Sequence, residues 1–93
     1  MVTHKKISEE DIARLYEVIL SLKTKADCEA LFKDLCTDKE VEQMAQRIKA
    51  AKLLIEGNTY SGVIEQTDIS SATLSRVSRC VQYGKGYTAF IKN

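Results

Sequence analysis

The chain has 93 residues, with 14 Lys and Arg balancing 13 Asp and Glu. That length holds one domain, 1–93, whose core is marginal unless a disulfide, a metal or a second subunit supports it. There is no apolar run of membrane-spanning length and no export leader, so a cytoplasmic protein with no membrane partner is expected.

Charge is divided unevenly. Met1 to Gln46 carries seven Lys/Arg against ten Asp/Glu, whereas Arg47 to Asn93 carries seven against three, and beyond Asp68 the charges are Arg76, Arg79, Lys85 and Lys92. A local positive surface of this kind suits a polyanion. Proline is absent and apolar residues recur at helical spacing, so the expected class is all-α.

In chain order, Ser8 with Asp11 predicts a helix of about sixteen residues with Ile12, Leu15, Tyr16, Ile19 and Leu22 on one stripe. A shorter helix follows Thr24 and is expected to bury Cys28, Leu31, Phe32 and Leu35. Thr37 with Glu40 is a stronger capping box and opens the longest helix, in which Val41, Met44, Ala45, Ile48 and Leu54 or Ile55 form the apolar face until Gly57 stops it.

A short helix from about Thr59 to Gln66 then leads through Thr67-Asp68-Ile69-Ser70 into a helix ending near Tyr83. This is the pattern of a helix-turn-helix unit over about 59–83. Asp68 stands where such turns often adopt positive φ, and Ser70 is a good N-cap. Leu74, Val77 and Val81 are spaced to bury against the preceding helix. Gly62 disfavours that first helix, and Ile64 is bulky where these motifs pack a small residue.

Small hydroxyl side chains let the start of a helix enter the DNA major groove, where they bond base edges or phosphates. The candidate DNA-binding residues are Ser61, Ser70, Ser71, Ala72, Thr73, Ser75, Arg76 and Arg79, on a recognition helix of about Ser70–Tyr83 and the helix before it. A helical dimeric protein-interaction module without DNA binding is the competing reading.

Enzymatic chemistry has little support. His4 lies in a polar tail, and Cys28, Cys36 and Cys80 sit in helical patterns without C-x-x-C spacing, so they read as reduced core thiols. No paired catalytic carboxylates, phosphate-binding glycine loop or H-E-x-x-H motif is present, no metal site is expected, and Gly84 reads as a helix stop.

The segments "TDKEVEQMAQRIKAAKLLIEG" (Thr37–Gly57) and "YSGVIEQTDISSATLSRVSRCVQYGKGY" (Tyr60–Tyr87) resemble the Trp repressor family in its YerC/YecD-type branch. The resemblance implies a Trp-repressor-like helix-turn-helix domain of about six helices, acting as an intertwined homodimer on double-stranded DNA. It also implies a candidate corepressor pocket, since Arg47, Arg76 and Thr37 match residues that hold L-tryptophan in the family's best-known member. Asp34 and Cys36 stand where that pocket has leucines, Val77 where it has a glycine, and Cys80 where it has a serine. Asp34 is placed to pair with Arg47 or Arg76 and occupy an arginine. The expectation is a transcriptional repressor with no cofactor and no tryptophan response, the alternative being a repressor that depends on tryptophan or on another small-molecule corepressor.

Overall fold

Ser8 opens the first helix through its side chain, whose Oγ accepts a 3.1 Å hydrogen bond from the Asp11 N–H. The computed structural model describes residues 8–91, and among these the ordered elements are all helices: α1 (Glu9–Leu20), α2 (Lys25–Leu35), α3 (Asp38–Ile55), α4 (Tyr60–Gln66), α5 (Ser71–Tyr83) and α6 (Gly86–Phe90). None is long and apolar enough to cross a membrane. The chain divides into two compact units, one through Leu35 and the other from Cys36.

In the first unit α1 is twelve residues long, shorter than expected. The Ser21 hydroxyl donates to the Val18 carbonyl at 2.6 Å, a local side-chain bond that competes with the helical ladder and ends it. A complete reciprocal cap then starts α2. Thr24 Oγ1 accepts from the Asp27 N–H, and Asp27 Oδ2 accepts from the N–H groups of Lys23 and Thr24. Those bonds, the one from Lys23 first, hold the Asp27 carboxyl below its ordinary pKa.

No residue of α1 or α2 is buried. The expected burial of α2 is therefore corrected, because Cys28 and Leu35 are exposed while Leu31 and Phe32 are half-buried. Two short helices have too little surface to cover both of their own apolar stripes. Cys28 is thus not a core thiol, and Cys36 and Cys80 are only half-buried.

In the second unit the Thr37–Glu40 box is complete. Glu40 N–H donates to Thr37 Oγ1 at 3.1 Å and Thr37 N–H donates to Glu40 Oε1 at 2.8 Å, which lowers the Glu40 pKa. At the other end Gly57 takes φ +99°, its N–H bonding to the Leu54 carbonyl and the Asn58 N–H to that of Leu53. This paired closure needs a left-handed residue, which glycine supplies at little cost.

The buried core comprises Ala50 and Ala51 of α3, Val63 of α4, Ile69, and Leu74 and Val77 of α5, with Leu53, Leu54, Val81, Tyr87 and Ile91 packed around it. The expected face of α3 is corrected accordingly. Ile48 and Ala45 are exposed and Val41 and Met44 half-buried, while the two alanines occupy the most enclosed positions. Their small side chains let α5 approach α3 closely. It is α3, more than the preceding helix, that receives the buried face of α5. Gly84 ends α5 as expected, its N–H bonding to the Cys80 carbonyl at 2.8 Å.

Candidate nucleic-acid interface

The connection from α4 to α5 is built around Thr67, which is 7% exposed and extended, with φ −136° and ψ 135°. Its hydroxyl donates to the Val63 carbonyl at 2.8 Å and accepts the Ile69 N–H at 3.4 Å, so one side chain satisfies both sides of the turn. Asp68 does not adopt the positive φ expected of it, because among the described residues no non-glycine residue does. The Thr67 hydroxyl makes the bend without a left-handed residue. Ile69, 4% exposed, inserts as an apolar plug beneath the turn.

Helix α4 also departs from the expected packing. Thr59 caps it by accepting the Gly62 N–H at 3.0 Å, and a Cβ on Gly62 would stand 3.1 Å from Thr59 Oγ1, so the glycine leaves room for the cap. Val63 takes the close-packed inward position while Ile64 points outward, 39% exposed, and therefore causes no steric conflict. Gln66 Nε2 reaches the Gly62 carbonyl at 3.2 Å and Asn58 Oδ1 at 3.4 Å, tying the helix to the segment before it.

Ser70 caps α5. Its Oγ accepts the Thr73 N–H at 3.2 Å and lies 2.9 Å from Thr73 Oγ1. Ser70 thus holds the helix start, and Thr73 is half-buried beside it. Ser61, Ser71, Ala72, Ser75, Arg76 and Arg79 are exposed, whereas Leu74 and Val77 on the opposite side of α5 are buried. Between Ile69 and Ile91 the charged residues are Arg76, Arg79 and Lys85, all cationic. The exposed side of α5 therefore combines short side chains, the Ser71 and Ser75 hydroxyls and the cationic Arg76 and Arg79, which suits a phosphate-lined groove.

One contact escaped the sequence pattern altogether. The Tyr60 hydroxyl donates to the Ser71 carbonyl at 2.9 Å, joining the first residue of α4 to the first residue of α5.

The residues matched to a corepressor pocket do not line one common cavity of the second unit. Arg47 borders a polar cavity of about 340 Å³ with Gln43, Gln46, Asp68, Ser70 and Thr73. Arg76 borders a different one, of about 350 Å³, with Ala72, Ser75, Arg79 and Cys80. Thr37 has its hydroxyl in the α3 cap, and Val77 is 1% exposed within the core. Asp34 lies on α2, in the first unit, while His4 and Lys92 fall outside the described residues.

Helix order, turn and exposed face together define a class. The chain belongs to the Trp repressor family, whose family model, described as Trp repressor protein, matches residues 10–93. Within that family it is a YerC-type member. It is 44% identical over 79 residues to YerC of Bacillus subtilis (strain 168), an uncharacterized protein, with 85% of this chain and 76% of YerC covered.

Solved structures agree. A candidate Trp repressor from Staphylococcus aureus superposes with a TM-score of 0.82 at 35% identity, covering 87% of this chain and 82% of that one. A TrpR-like protein from Eubacterium eligens ATCC 27750 gives 0.81 at 40% identity, covering 85% and 82%.

Proposed function

We propose that the chain is a sequence-specific DNA-binding transcriptional regulator, a repressor that works in the cytoplasm as a homodimer. In this reading 1–93 is a single helix-turn-helix domain whose α5 enters the major groove of double-stranded DNA. The observation that carries it is the division of α5 into a buried side, Leu74 and Val77, and an exposed side bearing Ser71, Ala72, Ser75, Arg76 and Arg79. Membership of the Trp repressor family supports the same reading.

A salt titration against genomic DNA fragments tests it. Neutralising phosphates releases counterions, so affinity should fall steeply and linearly on logarithmic axes as salt rises. A flat dependence would favour the protein-interaction module instead.

Residues of α5 have separable roles. Replacing Ser71 or Thr73 with alanine should alter sequence preference by about 1–3 kcal/mol per lost base contact, whereas Arg79→Ala should weaken all sequences and flatten the salt slope by about one unit. Competition binding on matched and mismatched duplexes reads both effects. Unchanged binding in all three variants would move the interface off α5.

The reading includes no tryptophan response. Val77 fills core space where the tryptophan-binding relative has a glycine, and Arg47 and Arg76 border separate cavities. L-tryptophan at millimolar concentration should leave melting temperature and DNA affinity unchanged, because a ligand of the folded state stabilises it by mass action. A tryptophan-dependent rise in melting temperature that disappears in Arg76→Ala would restore the corepressor reading.

A further inference from the structure

We infer that Tyr60 is a positioning residue for sequence readout, holding the first turn of α5 at the angle from which Ser71 and Thr73 meet the bases. The inference rests on the DNA-binding reading above. Its observation is the 2.9 Å hydrogen bond from the Tyr60 hydroxyl to the Ser71 carbonyl, eleven residues along the chain.

Helices α4 and α5 are joined covalently at one end only, through the turn held by Thr67. A connection of that kind fixes where the helices meet and leaves the angle between them to their side chains. Tyr60 acts at the far end of α4. It follows the Thr59 cap directly, and its phenol spans to the residue that follows the Ser70 cap, so the two helix starts are tied together. A carbonyl oxygen has two lone pairs, which lets the Ser71 carbonyl accept the hydrogen bond from the phenol O–H while keeping its place in the α5 ladder.

Tyr60 is 40% exposed, so water competes for this bond and its effect on stability is small. Its effect on geometry is different in kind. The Ser71 carbonyl belongs to the same first turn that presents the Ser71 and Thr73 hydroxyls, and hydrogen bonds to base edges tolerate only a few tenths of an ångström. Contacts to phosphate from long, flexible Arg76 and Arg79 side chains absorb a small rotation of α5, whereas contacts from short hydroxyls do not.

Tyr60→Phe separates these effects, since it keeps the ring and the charge and removes only the donor. Binding is measured for a site enriched from genomic fragments by the unaltered chain and for a random duplex, alongside melting temperature. The preference for the enriched site should fall about three- to tenfold, the order set by one hydrogen bond. Random-duplex affinity, salt slope and melting temperature should stay as they are. Incorporating p-aminophenylalanine at position 60, which restores a donor, should recover the preference.

Equal discrimination by Tyr60→Phe and the unaltered chain would overturn this inference alone. A parallel loss on both duplexes with a lower melting temperature would overturn it too, showing Tyr60 to be merely structural. If the unaltered chain showed no preference for any site, the DNA-binding reading would fail and take this inference with it.

Discussion

Leu74→Ala is expected to destabilise the folded chain by about 2–5 kcal/mol, the range for removing a fully buried leucine whose cavity only partly collapses. Leu74 is 0% exposed and sits in the core with Ala50, Ala51, Val63, Ile69 and Val77. The alanines of α3 have no spare atoms to move into the space, so relaxation there is limited. Domains of ordinary stability hold only about 5–15 kcal/mol in reserve, and this one has a small core.

Urea denaturation at a fixed protein concentration reads the change as a lower midpoint at unchanged slope. Leu74→Met nearly conserves volume and should cost less than about 1.5 kcal/mol, which separates lost packing from any general intolerance at this site. A loss below 1 kcal/mol in Leu74→Ala would mean that the α3–α5 contact is not the core of the second unit. DNA preference should weaken along with stability, because the buried side of α5 fixes the direction of its exposed side.

Dilution is expected to unfold the chain as the proposed homodimer dissociates. On α1, Ile12, Leu15 and Ile19 are 40%, 39% and 36% exposed, at spacings of three and four that place them on one face. Full burial of a large aliphatic side chain is worth about 1.5–3 kcal/mol. Covering the part of these three that is still exposed contributes a fraction of that, and two-fold symmetry repeats every contact. Sedimentation should therefore show a dimer at micromolar concentration, with a melting temperature that rises with concentration. Leu15→Glu combined with Ile19→Glu places charges on that face and should abolish the folded state under the same conditions. A stable folded monomer, in the unaltered chain or in this double variant, would contradict the intertwined arrangement.

Local signals located most of the helix boundaries. Thr37 with Glu40, Gly57, Ser70 and Gly84 act through hydrogen bonds and backbone angles that involve residues within a few positions of each other, so their effect is written in short stretches of sequence. The shortened α1 is of the same local kind, since the Ser21 hydroxyl that ends it is also visible in the sequence, but a serine there is equally compatible with a helix that continues. The exposed side of α5 was legible for a related reason. Periodicity separates Leu74 and Val77 from Ser71, Ser75 and Arg79 without knowledge of what covers either side.

Periodicity failed where burial depends on a neighbour. Apolar spacing in α3 favoured Ile48, yet the buried positions are Ala50 and Ala51, because the close approach of α5 selects small side chains that a hydropathy pattern ranks low. The α4–α5 turn differs for a local reason. Asp68 stands where such turns often adopt positive φ, but the bend is made by the Thr67 hydroxyl, bonded to Val63 four residues before it and to Ile69 two residues after it. A threonine there is equally compatible with either turn.

By itself, then, the sequence determined the helical class, most of the helix ends and the basic, hydroxyl-rich character of α5, all properties of residues at most a few positions apart. Tertiary structure decided which side of α3 is buried, that Val63 and not Ile64 packs inward, and that Tyr60 reaches Ser71. Each of these depends on the distance between two helices, and that distance is set by the packing of side chains far apart in the chain.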